Sequence, residues 1–238
     1  MKRAALVTGA SGALGGAVAR ELAERGYAIG LAFHRNREAA ERLADEIEDA
    51  HLLGADLAQR GAAWDVVRDF LRRFERLSVL VHCAGVAHEE TLLRTREEDW
   101  DRVQAVNLDA AFRLLRAAGR PLCEEAGCAV LVSSHAGARG AAGASAYAAA
   151  KAALTGLARS VAAEWGESGA RVHVVLPGFL PTSAMGRSAS DAFARRAAAE
   201  SLLGRTGEVR RAARFIADLP ALRPASGQVY ALDSRPVP

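Results

Sequence analysis

The strongest constraint on the fold is an alternation that runs the length of the chain. Short apolar runs take turns with charged stretches long enough to be helices. The runs are Ala4–Val7, Tyr27–Phe33, His51–Leu57, Ser78–Gly85, Ala129–Val132, Arg171–Leu176 and Ser226–Asp233. Between them, Glu38–Glu48 carries Ala39, Leu43 and Ile47 at helical spacing, and Ala62–Phe74 also reads as a helix. Apolar strands separated by helices imply a parallel sheet covered on both faces, with the site at the carboxyl ends of the strands. The predicted fold is α/β, one doubly wound domain with a parallel sheet of about seven strands. No repeat, linker or low-complexity segment interrupts residues 1–238.

Composition narrows the partners. A formal charge of +3, with arginines dispersed among acids, gives no basic block and no reason to expect nucleic acid. Cys83, Cys123 and Cys128 are odd in number, and two lie in apolar surroundings, which suits reduced thiols in a cytoplasmic protein. No metal-ligand spacing occurs. The N-terminal apolar run is too short to span a membrane and lacks a signal-peptide layout, so a soluble, unprocessed chain is expected.

The first apolar run closes on Thr8-Gly9-Ala10-Ser11-Gly12-Ala13-Leu14-Gly15-Gly16, and a helix follows with Val18, Leu22 and Ala23 inside. Strand, glycine turn and helix form a phosphate-binding arrangement, because glycines admit a pyrophosphate to the backbone and the helix N-terminus offers free amides. A structural turn fits the same residues. At the end of the second run, an acid would bind a ribose diol; His34, Arg35, Asn36 and Arg37 stand there instead and suit a 2′-phosphate. NADPH is therefore favoured over NADH, against the alternative that two exposed arginines simply open a helix.

Ser134 to Lys151 holds the candidate chemistry. Ala129–Val132 delivers Ser133 and Ser134 to a strand end, a Gly/Ala-rich loop follows, and an Ala-rich helix starts near Ala146. Tyr147 and Lys151, four residues apart, share a helical face, where an ammonium favours phenolate and lowers the tyrosine pKa. A tyrosine over a lysine stem is also an ordinary packing arrangement. Yet Lys2 and Lys151 are the only lysines in an arginine-rich chain, so position 151 calls for a compact point charge.

Ser134, Tyr147 and Lys151 together resemble the Ser, Tyr-x-x-x-Lys signature of the short-chain dehydrogenase/reductase family. The resemblance extends over essentially the whole chain. TGASGALG is similar to the family's T-G-x-x-x-G-x-G turn, with Ala13 at the usual middle glycine. Asp56-Leu57, VNLDAAF around Asn107, Pro177-Gly178 and the turn Gly204–Val209 also resemble family segments. His82-Cys83-Ala84-Gly85 stands where the family has Asn-Asn-Ala-Gly. Ser234 and Arg235 replace the glycines usual near the last strand.

The resemblance implies a Rossmann domain, with a cofactor half over residues 1–120 and a catalytic and substrate half over 121–238. It implies a cofactor site of Thr8, Gly9, Ser11, Gly12, Ala13, Leu14, Gly15, His34, Arg35, Asp56, Leu57, Cys83, Ala84, Gly85, Tyr147, Lys151, Pro177, Gly178, Phe179 and Thr182. Asp56 contacts the adenine edge or caps a helix, or both. Tyr147 would donate the proton, Ser134 would bind the substrate oxygen, and Lys151 would hold the ribose and depress the Tyr147 pKa. Asn107 would bend its helix and anchor a relay water, or else be a satisfied core amide. Val103, Val106, Leu108 and Phe112 are read as one buried face. His82 reads as a packed histidine and Cys83 as a small core residue.

A lid over residues 183–203 would contact substrate, with Met185, Phe193 and Leu202 as apolar candidates. TLLRTREEDW at Thr91–Trp100 is similar to 3-oxoacyl carrier-protein reductases, which implies NADPH-dependent reduction of a 3-oxoacyl thioester, a small-molecule or acyl-carrier-protein substrate, and a homotetramer. Reduction of another ketone, polyketide or sugar-derived carbonyl is the alternative; a non-catalytic NADPH sensor is the alternative from a different class. Two positions that often carry a carrier-docking arginine are Glu125 and Ser168 here, with Arg94, Arg96, Arg102 or Arg139 available to compensate.

Overall fold

The computed structural model describes residues 2–183, 186 and 190–236. Met185 lies outside these residues. The chain runs β1 (Ala4–Thr8), α1 (Ala13–Glu24), β2 (Ala28–Phe33), α2 (Arg37–Asp45), β3 (Ala50–Gly54), α3 (Ala62–Phe74) and β4 (Val79–His82). It continues through α4 (Glu97–Gln104), a wide π turn (Ala105–Asp109), α5 (Ala110–Glu124), β5 (Cys128–Val132), α6 (His135–Arg139), α7 (Ser145–Trp165) and β6 (Arg171–Leu176). The last elements are α8 (Asp191–Ala199), α9 (Val209–Asp218) and β7 (Val229–Ala231).

The seven strands form one parallel sheet in the order β3-β2-β1-β4-β5-β6-β7. Side chains alternate across it, so each strand feeds two cores. From β1, Ala4 and Leu6 face a layer with Val66, Phe70, Leu114 and Leu154, drawn from α3, α5 and α7. Ala5 and Val7 face the opposite layer, with Val18 and Leu22 of α1, Leu43 of α2 and Ile216 of α9. Removing a side chain such as Phe70 from water contributes roughly 2–3 kcal/mol, the cost of exposing an apolar group of that size.

From β1 the chain moves outward through β2 to β3, then returns to place β4 on the other side of β1. That reversal opens a crevice at the carboxyl ends of β1 and β4, the place where doubly wound sheets bind ligands. The buried-face expectation fails at one residue. Phe112 is 49 % exposed, because the inward stripe of α5 is Ala110, Ala111, Leu114, Leu115 and Ala118 and Phe112 falls beside it.

Candidate active site

The glycine turn is built by close approach. Gly9 adopts φ +67°, and a Cβ on it would lie 2.8 Å from the Ala84 amide nitrogen; a Cβ on Gly15 would lie 2.3 Å from the Gly9 carbonyl oxygen. β1, β4 and the start of α1 therefore meet with no room for a side chain. Gly12 is the N-cap of α1 and supplies no capping side chain, so the first amides of the helix are left for an anion. Ala13 opens the helix on its exposed side, so its methyl displaces no part of the fold.

Thr8 ties this turn to β4. Its hydroxyl accepts from the Ala84 amide at 3.3 Å and lies 2.8 Å from His82 Nδ1. The other ring nitrogen of His82, Nε2, is buried and has no hydrogen-bond partner among the described residues. Burial, helped by the Lys151 charge, pushes the His82 pKa down to about 3. Cys83 is half-buried, and burial pushes its thiol up to about 12. Both behave as packing residues.

At the end of β2, Asn36 caps α2 by accepting from the Ala39 amide at 3.1 Å. Arg37 lies over the Phe33 ring and reaches Glu41 at 3.5 Å. Arg35 is exposed and carries no ion pair among the described residues. His34 stands 3.9 Å from the Asp56 carboxylate. Asp56 accepts from the Ala58 amide at 3.1 Å, closing a turn, while Gly61 occupies the N-cap of α3. Asp56 is thus a turn residue and does not cap that helix. Leu57 is buried in the core.

Between Ser134 and Tyr147, where the Gly/Ala-rich sequence predicts a loop, the chain forms a short helix. Ser134 begins the short helix α6 by accepting from the Ala136 amide at 3.2 Å. α6 packs so closely on α7 that a Cβ on Gly137 would lie 2.8 Å from the Lys151 carbonyl carbon. Ser133 donates to the Lys151 carbonyl at 2.7 Å, and Lys151 Nζ donates to the Val132 carbonyl at 2.9 Å. Lys151 is 3 % exposed and has no carboxylate partner among the described residues. Burial pushes its pKa down to about 8.

Its Nζ lies 5.7 Å from the centre of the Tyr147 ring. The expectation of a lowered Tyr147 pKa is overturned, because the net shift is upward. Burial raises it, and the opposing influence is a hydrogen bond from Ser134. Desolvation of the phenolate prevails because the ammonium is directed at the Val132 carbonyl.

Asn107 sits in the π turn, fully buried. Its Nδ2 donates to the Val86 carbonyl at 2.8 Å and the Val103 carbonyl at 2.9 Å, and its Oδ1 accepts from the Val86 amide at 3.3 Å. One Oδ1 lone pair is all its side chain has left for water. A Cβ on Gly85 would lie 2.7 Å from that oxygen and 3.3 Å from Lys151 Nζ, which makes Gly85 the floor of the crevice.

Asp233 and Arg235 hold the opposite wall, and in the sequence Asp233 has no role beyond its place at the end of the last apolar run. Gly178, at φ +83°, leaves 2.7 Å between a Cβ built on it and the Asp233 Cβ. Asp233 accepts from the Phe179 amide at 3.3 Å and from Arg235 Nε at 2.7 Å. Burial would raise the Asp233 pKa, but its hydrogen bonds with Arg235 hold it below the usual carboxylate range. His135, next to Ser134, lies close enough to Arg235 for its charge to help burial lower the His135 pKa. The C-terminal segment thereby joins the Pro177–Phe179 loop to the start of α6; Thr182 follows on that loop. Phe193 of α8 stacks edge-on against Phe179, ring centres 5.2 Å apart, whereas Leu202 faces solvent.

A family model described as enoyl-(acyl carrier protein) reductase matches residues 9–234. The chain belongs to the short-chain dehydrogenase/reductase family. It is 33 % identical over 213 residues to the 3-oxoacyl-[acyl-carrier-protein] reductase FabG of Staphylococcus aureus strain Mu50, covering 87 % of this chain and 86 % of that one. It is also 33 % identical over 236 residues to the short-chain reductase protein NovJ of Streptomyces niveus, covering 94 % and 88 %. A solved dehydrogenase/reductase from Sinorhizobium meliloti 1021 superposes with a TM-score of 0.92 at 31 % identity, covering 98 % of this chain and 94 % of that one. As a short-chain dehydrogenase/reductase, the protein is an NAD(P)-dependent oxidoreductase. Among its described residues no helix is long and apolar enough to cross a membrane.

Proposed function

We propose that this protein reduces a 3-oxoacyl thioester to the secondary alcohol with NADPH, Tyr147 giving the proton. The observation that carries the reading is the convergence of Tyr147 and Ser134 beside a buried, carboxylate-free Lys151, at the end of the sheet where the glycine turn lies. Similarity to FabG supports the substrate class.

The cradle fits a dinucleotide. Gly9, Gly12 and Gly15 admit the pyrophosphate to the uncapped helix α1, along with Thr8, Ser11, Ala13 and Leu14. Asp56 and Leu57 flank the adenine, Ala84 and Gly85 leave room for the ribose, and Pro177–Phe179 with Thr182 face the nicotinamide. Arg35, exposed and unpaired among the described residues, supports a 2′-phosphate. When bound, the nicotinamide supplies the hydride.

The residues of the chain handle the proton. A phenol held above its ordinary pKa is fully protonated at neutral pH, so Tyr147 stands ready as an acid. As negative charge grows on the substrate oxygen, the Ser134 hydroxyl stabilises it and Tyr147 transfers its proton. The phenolate left behind is favoured by the nearby Lys151 ammonium, which would also hold the ribose hydroxyls. Asn107 fixes the π turn and offers its remaining lone pair to a relay water. Assembly with further copies, as a homotetramer, is supported by Trp100 and Phe112, 37 % and 49 % exposed on α4 and α5.

The test follows nicotinamide absorbance with acetoacetyl-CoA and NADPH, with wild type beside Tyr147→Phe and NADH in parallel. Turnover with NADPH and a loss of about a hundredfold or more in the variant support the reading. Similarity to NovJ over most of the chain favours reduction of another carbonyl as the second reading. Inert acetoacetyl-CoA with turnover of other ketones would select it.

A further inference from the structure

The mouth of the crevice has two unlike walls. One is the segment 89–102, joined to the loop before α7 by the Glu90 to Ala144 bridge. It holds six acids against three arginines, and Arg96 is spent on Asp99 at 2.8 Å. The other wall, residues 190–214, reverses the count, with six arginines against three acids. Two of those acids are already matched, Glu200 by Arg196 at 2.7 Å and Glu208 by Arg211 at 2.9 Å. Arg195 and Arg205 carry no ion pair among the described residues.

On this basic wall Leu202 and Leu203 are 79 % and 66 % exposed. They are pinned there. The Leu203 amide donates to Ser234 Oγ at 3.1 Å, and Ser201 Oγ lies 2.5 Å from the same oxygen. The next residue, Arg235, lies near His135 beside Ser134, and the charge of Arg139 on α6 acts on Glu200, just past α8. The leucines thus stand at the edge of the substrate entrance, with Arg139 and Arg205 near them.

The positions 125 and 168 lead elsewhere. Both precede their strands, β5 and β6, and so lie at the amino ends of a parallel sheet, about 15 Å or more from the catalytic ends. Glu125 is held by Arg76 at 3.0 Å and Ser78 at 3.4 Å. Ser168 is spent on the Trp165 carbonyl at 2.7 Å.

Building on the thioester reading above, we propose that the wall formed by Arg139, Leu202, Leu203 and Arg205 docks an acidic carrier protein that presents its acyl group on a flexible arm. Complementary charge selects this wall and repels the same partner from the segment 89–102. The exposed leucines supply an apolar centre ringed by cations, the pattern of a small transient interface. Ser234 and Arg235, standing where the family has glycines, provide the side chains that hold this surface in place.

The experiment compares two thioesters of the same acyl group, acetoacetyl-acyl carrier protein and the uncharged acetoacetyl N-acetylcysteamine, with wild type and the double variant Leu203→Asp/Arg205→Glu. The expected result is a KM for the carrier substrate raised about tenfold or more with kcat unchanged, and both constants for the small thioester within about twofold of wild type. Raising salt should raise the wild-type KM for the carrier substrate alone. Equal carrier KM in both proteins overturns the proposal. A changed elution volume with both substrates affected alike assigns the surface to a second copy and also overturns it. Wild type inert towards both thioesters overturns the thioester reading, and the docking surface falls with it.

Discussion

Two buried cations in this molecule are handled in opposite ways. Arg235, in the C-terminal segment, has Asp233 against it at 2.5 Å, and both side chains are under 10 % exposed. Lys151, on α7, is buried as deeply and, among the described residues, bonds only the Val132 carbonyl, at 2.9 Å. The first charge is balanced, so it can hold two loops together. The second is left unbalanced, and its pKa falls to about 8. An unbalanced buried charge costs stability, and at a catalytic position it supplies a positive potential to whatever binds beside it. The contrast separates a charge neutralised within the fold from one left available to whatever binds beside it.

The largest expected effect comes from breaking the balanced pair. Arg235→Met strands Asp233 as a lone buried carboxylate and should cost about 3–5 kcal/mol, read as a fall in the denaturant midpoint. Asp233→Asn combined with Arg235→Met should recover much of that loss, because no unpaired charge remains. The wild-type pair should also weaken in acid. The Asp233 pKa is depressed on folding, so its contribution is present above the ordinary carboxylate range and is lost as pH falls through its folded value.

Next in size, Tyr147→Phe should lower kcat about a hundredfold or more, roughly 2.7 kcal/mol of barrier, and leave the denaturant midpoint nearly unchanged. A comparable loss of stability would mean that the phenol is a packing group.

Lys151→Met should behave unlike Arg235→Met. Without nucleotide it should stabilise the protein at pH 7 by about 1–3 kcal/mol while activity collapses, since it removes a desolvated charge and retains an apolar stem. A lysine whose pKa drops from 10.5 to about 8 on folding destabilises fully below pH 8, and the penalty fades as pH rises from there towards 10.5. The advantage of the variant should therefore be flat below pH 8 and shrink above it. A variant less stable than wild type at pH 7 would show that the bond to the Val132 carbonyl outweighs desolvation.

The smallest effect sits on the exposed rim. Arg35→Ala should lower the preference for NADPH over NADH by about tenfold, roughly 1.4 kcal/mol, measured as a ratio of kcat/KM values. An unchanged ratio would move the phosphate contact to another residue.

Much of this architecture could be read from the residues in order. Apolar runs spaced by amphipathic stretches dictate strands and helices locally, and parallel strands follow because each crossover has helical length. The candidate site was legible for the same reason: Tyr147 and Lys151 are four apart on one helix, and Ser134 stands two residues past the preceding strand. Proximity along the chain guarantees proximity in space there. The glycine turn likewise lies within one unit from strand to helix.

What sequence order could not supply were contacts and environments made at long range. Asp233 bears on Gly178 and Phe179 only because β7 pairs with β6, and Arg235 meets His135 across a hundred residues of chain. The upward direction of the Tyr147 shift is set by burial, because helical spacing gives neighbourhood and says nothing of how deeply a phenol is buried. Phe112 was read as buried because Leu108 and Phe112 keep helical spacing, which does not say which face meets the sheet. The sequence by itself determined the strands, their order and the candidate site residues Ser134, Tyr147 and Lys151, all matters of local periodicity and spacing. Only the tertiary structure decided solvation, partner and direction, since these depend on which distant atoms exclude water from a given side chain.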